Sequence, residues 1–161
     1  MKKHQKVTVG ERAPDFTLPA QTGGTVSLRD RVGAKAIVLY FYPKDHTPGC
    51  TVEARAFRDR HDTFVAAGAE VIGVSGDSIK SHRRFADKLR LPFALLSDEG
   101  GAVRQLYGVE KTLGLIPGRV TYVIDRDGIV RHVFSSQLEA TRHVQEALQA
   151  LEAIAPRPSQ P

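Results

Sequence analysis

Residues Ala36–Tyr42 read AIVLYFY, seven apolar positions without a break. A short continuous run rich in β-branched and aromatic residues predicts a strand buried on both faces. Glu70–Ser75, EVIGVS, predicts a second buried strand. Between them, from Thr51 to Ala67, Ala56, Phe57, Phe64 and Val65 recur at helical spacing, and Gly68 stands where a helix would close. Strand, helix, strand at this spacing predicts a βαβ unit with parallel strands and a right-handed crossover.

The flanking segments are shorter and more punctuated. Lys6–Arg29 mixes β-like pieces (Val7–Val9, Phe16–Leu18, Val26–Leu28) with turn signals at Gly10, Pro14, Pro19 and Gly23-Gly24, which predicts an N-terminal hairpin. Ser78–Arg90 predicts a polar-faced helix with Phe85 and Leu89 inward, ending before Leu91-Pro92. Phe93–Leu96 predicts a short strand or extended segment, and Gly101–Tyr107 a short helix closed by Gly108. Arg119–Asp125 and Ile129–Ser135 flank the hairpin signal Arg126-Asp127-Gly128. Ser136 and Glu139 have the spacing of a capping box before a final helix with Leu138, Val144, Leu148 and Leu151 on one side. The expected architecture is α/β, a central mixed β-sheet flanked by helices. Residues 1–155 are expected to form one domain and 156–161, PRPSQP, a disordered tail.

Composition narrows the function classes. With 161 residues, 41% hydrophobic and 25% charged, the chain reads as one soluble globular domain. No apolar run approaches the roughly 18 residues that span a bilayer, so no membrane is expected as a partner. The N-terminus, MKKHQKVTVGER, lacks the apolar core of a secretory signal, which makes a cytoplasmic location the expectation. The net charge is +5, but Arg29, Arg31, Lys80, Arg83, Arg84, Arg104, Arg131 and Arg142 are scattered among acids, without interleaved aromatics. That pattern reads as a solvated basic surface, with no nucleic acid as a partner.

Cys50 is the one cysteine, which excludes an internal disulfide. It lies just past the carboxyl end of the first central strand, where open α/β sheets bind ligands. It also opens a predicted helix, whose free N–H groups and dipole favour a thiolate. Pro48-Gly49 lets the backbone approach closely, and Pro43 can shield one side of the site. Thr47, three residues before Cys50, takes the place of the first cysteine in a C-x-x-C motif. Its hydroxyl suits a hydrogen bond to the thiolate or to a substrate oxygen, and equally a plain N-cap. A small buried hydrophobe remains the competing account of Cys50. His46 and Cys50 lack a second Cys/His pair, so no metal site is expected. A Cys-His hydrolase needs a base that the sequence cannot place among His46, His61 and His82. GVSGD carries Asp77 where a G-x-S-x-G elbow requires glycine, so that motif fails.

Pro43, Thr47 and Cys50 together spell P-x-x-x-T-x-x-C, which resembles the active-site signature of peroxiredoxins. FYPKDHTPGCTVEA, GERAPDFTLPAQTGGTVSLRD, VIGVSGDSIKSHRRFADKLRLPFALLSD and GRVTYVIDRDG resemble the bacterioferritin comigratory protein, or PrxQ, subfamily over about residues 7–150. The resemblance implies a thioredoxin-like fold and thiol-dependent reduction of hydrogen peroxide and organic hydroperoxides, without a cofactor. It implies that Cys50 attacks the peroxide, that Thr47 orients it, that Pro43 shields the sulfur, and that Arg119 stabilises the thiolate and the leaving oxygen. The Gly49 and Cys50 N–H groups would add donors at the substrate position.

The chain departs from the subfamily at the resolving cysteine. Position 55 is Arg55, and Phe85–Lys88 reads FADK, so both usual places are empty. A Cys50 sulfenic acid would therefore be resolved by an external thiol reductant: thioredoxin, glutaredoxin or a small thiol. A monomer or weak homodimer is expected. The alternative is a non-enzymatic redox sensor signalling through a Cys50 mixed disulfide.

Overall fold

A computed structural model describes residues 6–154; the expected tail, 156–161, lies outside them. β1 (Thr17–Pro19) and β2 (Thr25–Ser27) pair antiparallel as the predicted hairpin, with Gly23 and Gly24 at positive φ in its turn. Leu28 does not extend the second strand. It opens a helical turn, α1 (Leu28–Arg31), in which the Arg29 N–H donates to the Asp15 carboxylate. Val7–Val9 forms no strand, although the Val7 N–H reaches the Tyr107 carbonyl.

β3 (Ala36–Phe41) is buried at every position, as the unbroken apolar run requires. The chain then passes through α2 (Pro48–Asp59), α3 (His61–Ala66) and β4 (Ala69–Ser75). β4 pairs parallel to β3 from Ala36↔Ala69 to Phe41↔Val74, which is the expected βαβ unit. Its helix is broken rather than continuous. Arg60 leaves helical geometry (φ −108, ψ 12), and its carbonyl accepts the Thr63 and Phe64 N–H groups to start α3. Phe57 and Phe64 stay buried across the break, whereas Val65 is 57% exposed.

α4 (Ile79–Leu89) is capped by the Ser78 hydroxyl, which accepts the Ser81 N–H. It buries Phe85 and Leu89 as expected, and ends at Arg90 in the left-handed region (φ 53). β5 (Ala94–Ser97), α5 (Ala102–Tyr107), β6 (Val120–Ile124), β7 (Val130–Ser135) and α6 (Ala140–Ile154) complete the order. α6 starts at Ala140, three residues later than a Ser136 cap would place it. Ser136 accepts the Glu139 N–H, but its own N–H is committed to the Arg119 carbonyl, so the box does not close. Leu138 consequently lies outside the helix and is 94% exposed.

The main sheet has the order β5-β4-β3-β6-β7, with β3, β4 and β5 parallel and β6 and β7 antiparallel to their neighbours. The period of two along β3 divides the core. Ile37, Leu39 and Phe41 face the N-terminal hairpin and α5, while Val38, Tyr40 and Tyr42 pack with Cys50 and the residues of α2, α4 and α6. Each large side chain buried this way contributes about 1.5–3 kcal/mol. This is the mixed, helix-flanked sheet of a thioredoxin-like fold.

Candidate active site

The carboxyl end of β3 leads into a loop, Tyr42–Thr47, that delivers Cys50 to the first turn of α2. Thr47 occupies the N-cap with extended geometry, and Pro48 takes the first helical position, where its missing N–H is not needed. The Thr51 N–H makes the first helical bond, to the Thr47 carbonyl at 2.9 Å. The Gly49 and Cys50 N–H groups precede it and have no intrahelical acceptor. Cys50 is only 1% exposed, and its Sγ accepts the Lys44 N–H at 3.5 Å. His46 sits at φ 64, a conformation most residues avoid, and its ring packs edge-on against Phe85.

Thr47 makes no side-chain cap. Its hydroxyl donates to the Lys44 carbonyl at 2.8 Å, which leaves the oxygen's lone pairs as acceptors. Pro43 is half-buried at the head of the same loop. Arg119 arrives from the other side, immediately before β6, and is 5% exposed. Its Nη1 donates to Glu53 Oε1 at 2.6 Å and its Nε to the Gln137 carbonyl at 3.1 Å. A Cβ built on Gly49 would stand 2.9 Å from Arg119 Nη2, so the guanidinium lies directly against the first turn of α2. Burial alone would lower the Arg119 pKa, but the adjoining Glu53 and Cys50 outweigh it and hold it above the usual arginine value. The structure thus gathers Cys50, Gly49 and Arg119 in one place, with Thr47 and Pro43 on the connecting loop.

A second layer lies behind these groups. Glu53 is fully buried, and burial pushes its carboxyl up to about 8 against the opposing pull of Arg119. Its Oε2 has no hydrogen-bond partner and stands 3.6 Å from His143 Nδ1. His143 Nε2 donates to the Ser136 carbonyl and Nδ1 accepts from the Thr121 hydroxyl, both at 2.8 Å. That arrangement requires a neutral ring, and burial lowers the His143 pKa to about 4. On the loop side, Asp45 accepts from the Tyr42 hydroxyl (2.6 Å), the Ser81 hydroxyl (2.8 Å) and His82 Nδ1 (2.6 Å). His82 Nε2 donates to the Leu96 carbonyl, so both ring nitrogens are engaged. The Asp45 N–H donates to Asp77. Asp45, Asp77 and His82 bring ligand-type atoms within 4.8 Å of one another, the one such grouping among the described residues, but these atoms already have protein partners.

Sequence reading missed Glu53, His143, Asp45 and Arg104. A usable signal existed for three of them. Glu53 falls on the buried stripe Cys50, Ala54, Phe57; His143 on Val144, Ala147, Leu151; and Arg104 beside Val103 and Tyr107. A charged residue on an apolar stripe is the informative exception. Arg104 is a correction as well, since it is buried rather than part of a solvated basic surface.

The chain resembles known proteins over most of its length. Residues 9–133 match the model of the AhpC/TSA family. Peroxiredoxin Q of Sedum lineare is 51% identical over 150 residues, covering 92% of this chain and 80% of the relative. The crystal structure of the peroxidoxin BcpB from Mycobacterium tuberculosis superposes with a TM-score of 0.85 at 38% identity, over 92% of this chain and 98% of that one. A structure of Xanthomonas campestris peroxiredoxin Q gives 0.83 at 33% identity, over 93% and 98% of the two chains. The Sedum protein and other plant relatives near half identity are chloroplastic, which overturns the expectation of a cytoplasmic location. The missing apolar core argued only against a secretory signal.

Proposed function

The chain belongs to the AhpC/TSA family, and from that membership we propose that Cys50 carries its peroxidase chemistry, with Arg119, Thr47, Gly49 and Pro43 serving it. The protein is a thiol-dependent peroxidase of the peroxiredoxin Q group, and its single cysteine fits a one-cysteine cycle. One observation carries the assignment of roles: a buried sulfur at a helix N-terminus, with a buried guanidinium laid across the glycine before it.

The Cys50 thiolate attacks the outer oxygen of the peroxide, and the O–O bond breaks. Sulfur is oxidised by two electrons to the sulfenic acid, and the departing oxygen takes a proton to leave as an alcohol or water. Arg119 and the free N–H groups at Gly49 and Cys50 stabilise the charge that develops on the oxygens. The Thr47 hydroxyl, whose hydrogen is committed to Lys44, accepts a hydrogen bond from the peroxide O–H and so orients it. Pro43 shields the sulfur. An external thiol then attacks the sulfenic sulfur, releasing water and forming a mixed disulfide. A second thiol frees Cys50. Arg55 is exposed and holds no sulfur, so no internal resolution is possible there. Because Cys50 is 1% exposed, the first turn of α2 must open for the reductant to reach it. Thioredoxin, glutaredoxin or a small thiol fills that role, acting on a monomer or weak homodimer.

Steady-state turnover tests this reading. With thiol reductant in excess, the wild type is expected to consume many equivalents of peroxide per chain, and Cys50→Ser none above background. Equal consumption by Cys50→Ser would refute the role of Cys50. Oxidation that stops after one equivalent would favour the redox sensor instead.

A further inference from the structure

Arg104 is a buried cation that the peroxidase chemistry above does not use. It lies on α5, 9% exposed, and among the described residues no carboxylate side chain pairs with its guanidinium. Its fork is spent on two main-chain carbonyls instead. Nη1 donates to Gly118 at 2.9 Å and Nη2 to Tyr42 at 2.8 Å. These carbonyls belong to distant parts of the chain with one thing in common: Tyr42 precedes Pro43 at the head of the Cys50 loop, and Gly118 precedes Arg119. The fork therefore ties the exit of β3 to the entry of β6, the two segments that must meet around the sulfur.

The base of the fork is itself fixed. Asp98 accepts the Val103 and Arg104 N–H groups at 3.0 and 2.9 Å, which sets the first turn of α5. The guanidinium carbon stands 5.8 Å from the centroid of the Phe41 ring. Gly118 has no room for a side chain, since a Cβ would collide with the Glu110 carbonyl. A buried guanidinium bound only to neutral carbonyls is an expensive way to fill space, because an apolar side chain avoids the desolvation.

The geometry points to Arg104 as a positioning residue for peroxide reduction, whose fork sets Arg119 and the Cys50 loop at a fixed separation. The inference rests on the proposed roles of Cys50 and Arg119. Lysine cannot reproduce the clamp, because a point donor does not span two carbonyls in a set geometry. Burial lowers the Arg104 pKa, opposed by Asp98, Cys50, Tyr122 and Asp77, so its charge is also felt at the sulfur.

The test compares wild type, Arg104→Lys and Arg104→Met by three measurements: stopped-flow oxidation of Cys50 by hydrogen peroxide, alkylation of Cys50 by iodoacetamide, and urea unfolding. A misplacement on the ångström scale slows oxidation by about 100-fold in Arg104→Met. Arg104→Lys, which keeps a charge but loses the fork, is expected to slow by about 10-fold. Alkylation needs the thiolate but not the aligned peroxide, so it should change by less than about threefold in Arg104→Lys, which keeps the charge, and by clearly less than oxidation in Arg104→Met, which loses it. Oxidation rates within about threefold of wild type in both variants would overturn the inference, whatever stability is lost. Parallel slowing of oxidation and alkylation would also overturn it, since the thiolate and not the alignment would then have changed. If Arg104→Met fails to fold, Arg104→Lys decides alone. Cys50→Ser in the same peroxide assay keeps the two claims apart: consumption by that variant refutes the Cys50 reading, whereas the Arg104 outcomes leave it standing.

Discussion

Glu53 stands one helical turn beyond Cys50, and it is there to be read with Arg119 and His143 rather than alone. Its carboxyl is fully buried, with one oxygen on a guanidinium and the other facing an imidazole nitrogen without a hydrogen bond. Its pKa is raised on folding, so the folded state holds the proton from about 4.5 to about 8, and stability falls as pH rises through that window. His143 has the opposite sense. Its pKa falls from 6.5 to about 4, so the unfolded chain binds the extra proton, and stability is lost as pH drops from 6.5 towards 4. The His143 effect amounts to about 3 kcal/mol over that range. The two oppose one another in wild type and separate in Glu53→Gln. Urea denaturation across pH 4 to 8 should show Glu53→Gln losing more stability towards acid than wild type, and lacking the wild-type decline towards pH 8. Parallel profiles would remove Glu53 as a titrating group. At this scale Cys50 and Thr47 stood out through a spaced motif, and Arg119 only through the family resemblance of GRVTYVID. For Glu53 and His143 the sequence offered only their place on apolar stripes, because the partners of an inward charge lie on other elements.

The elements most legible in the chain were those whose apolar runs are long and closed by glycine or by a capping serine. β3, β4 and α4 fall into this group, and so does the β6–β7 hairpin, where Gly128 sits at φ 81. The break at Arg60 was not legible, because no glycine or proline marks it and both flanking phenylalanines remain buried. The start of α6 was misread for a different reason. Ser136 carries the right side chain for a cap, but tertiary structure draws its N–H to Arg119. Even a well-read helix leaves something for measurement. α4 ends on Arg90 at φ 53, with the Leu91 N–H bonded to the Ala86 carbonyl, a geometry that glycine adopts without a Cβ penalty. The Arg90 side chain is exposed, so little packing is lost on its removal. Arg90→Gly should therefore stabilise the fold by about 0.5–1 kcal/mol, read as a higher urea midpoint at unchanged slope. A lower midpoint would show that Arg90 makes a contact worth more than the backbone relief.

Across the whole molecule, function follows from how the sheet gathers its ends. β3 runs parallel to β4 and antiparallel to β6, so the carboxyl end of β3 and the beginning of β6 lie side by side at one end of the sheet. Cys50 leaves from the first and Arg119 enters at the second, although 69 positions separate them in the chain. Periodicity predicted the strands, but neither the order β5-β4-β3-β6-β7 nor the Arg104 clamp follows from it, because both depend on long-range pairing. The absence of a second cysteine was plain in the sequence, and it determines the chemistry of the full cycle. One peroxide oxidises one sulfur, and the partner must come from outside. The most direct measurement is a single turnover: one equivalent of hydrogen peroxide without reductant, a sulfenic-acid trap such as dimedone, and mass spectrometry of the intact chain and its peptides. Near-complete trapping at Cys50 is expected, with conversion to a mixed disulfide when a small thiol replaces the trap. Peroxide consumed while Cys50 remains a free thiol would contradict it.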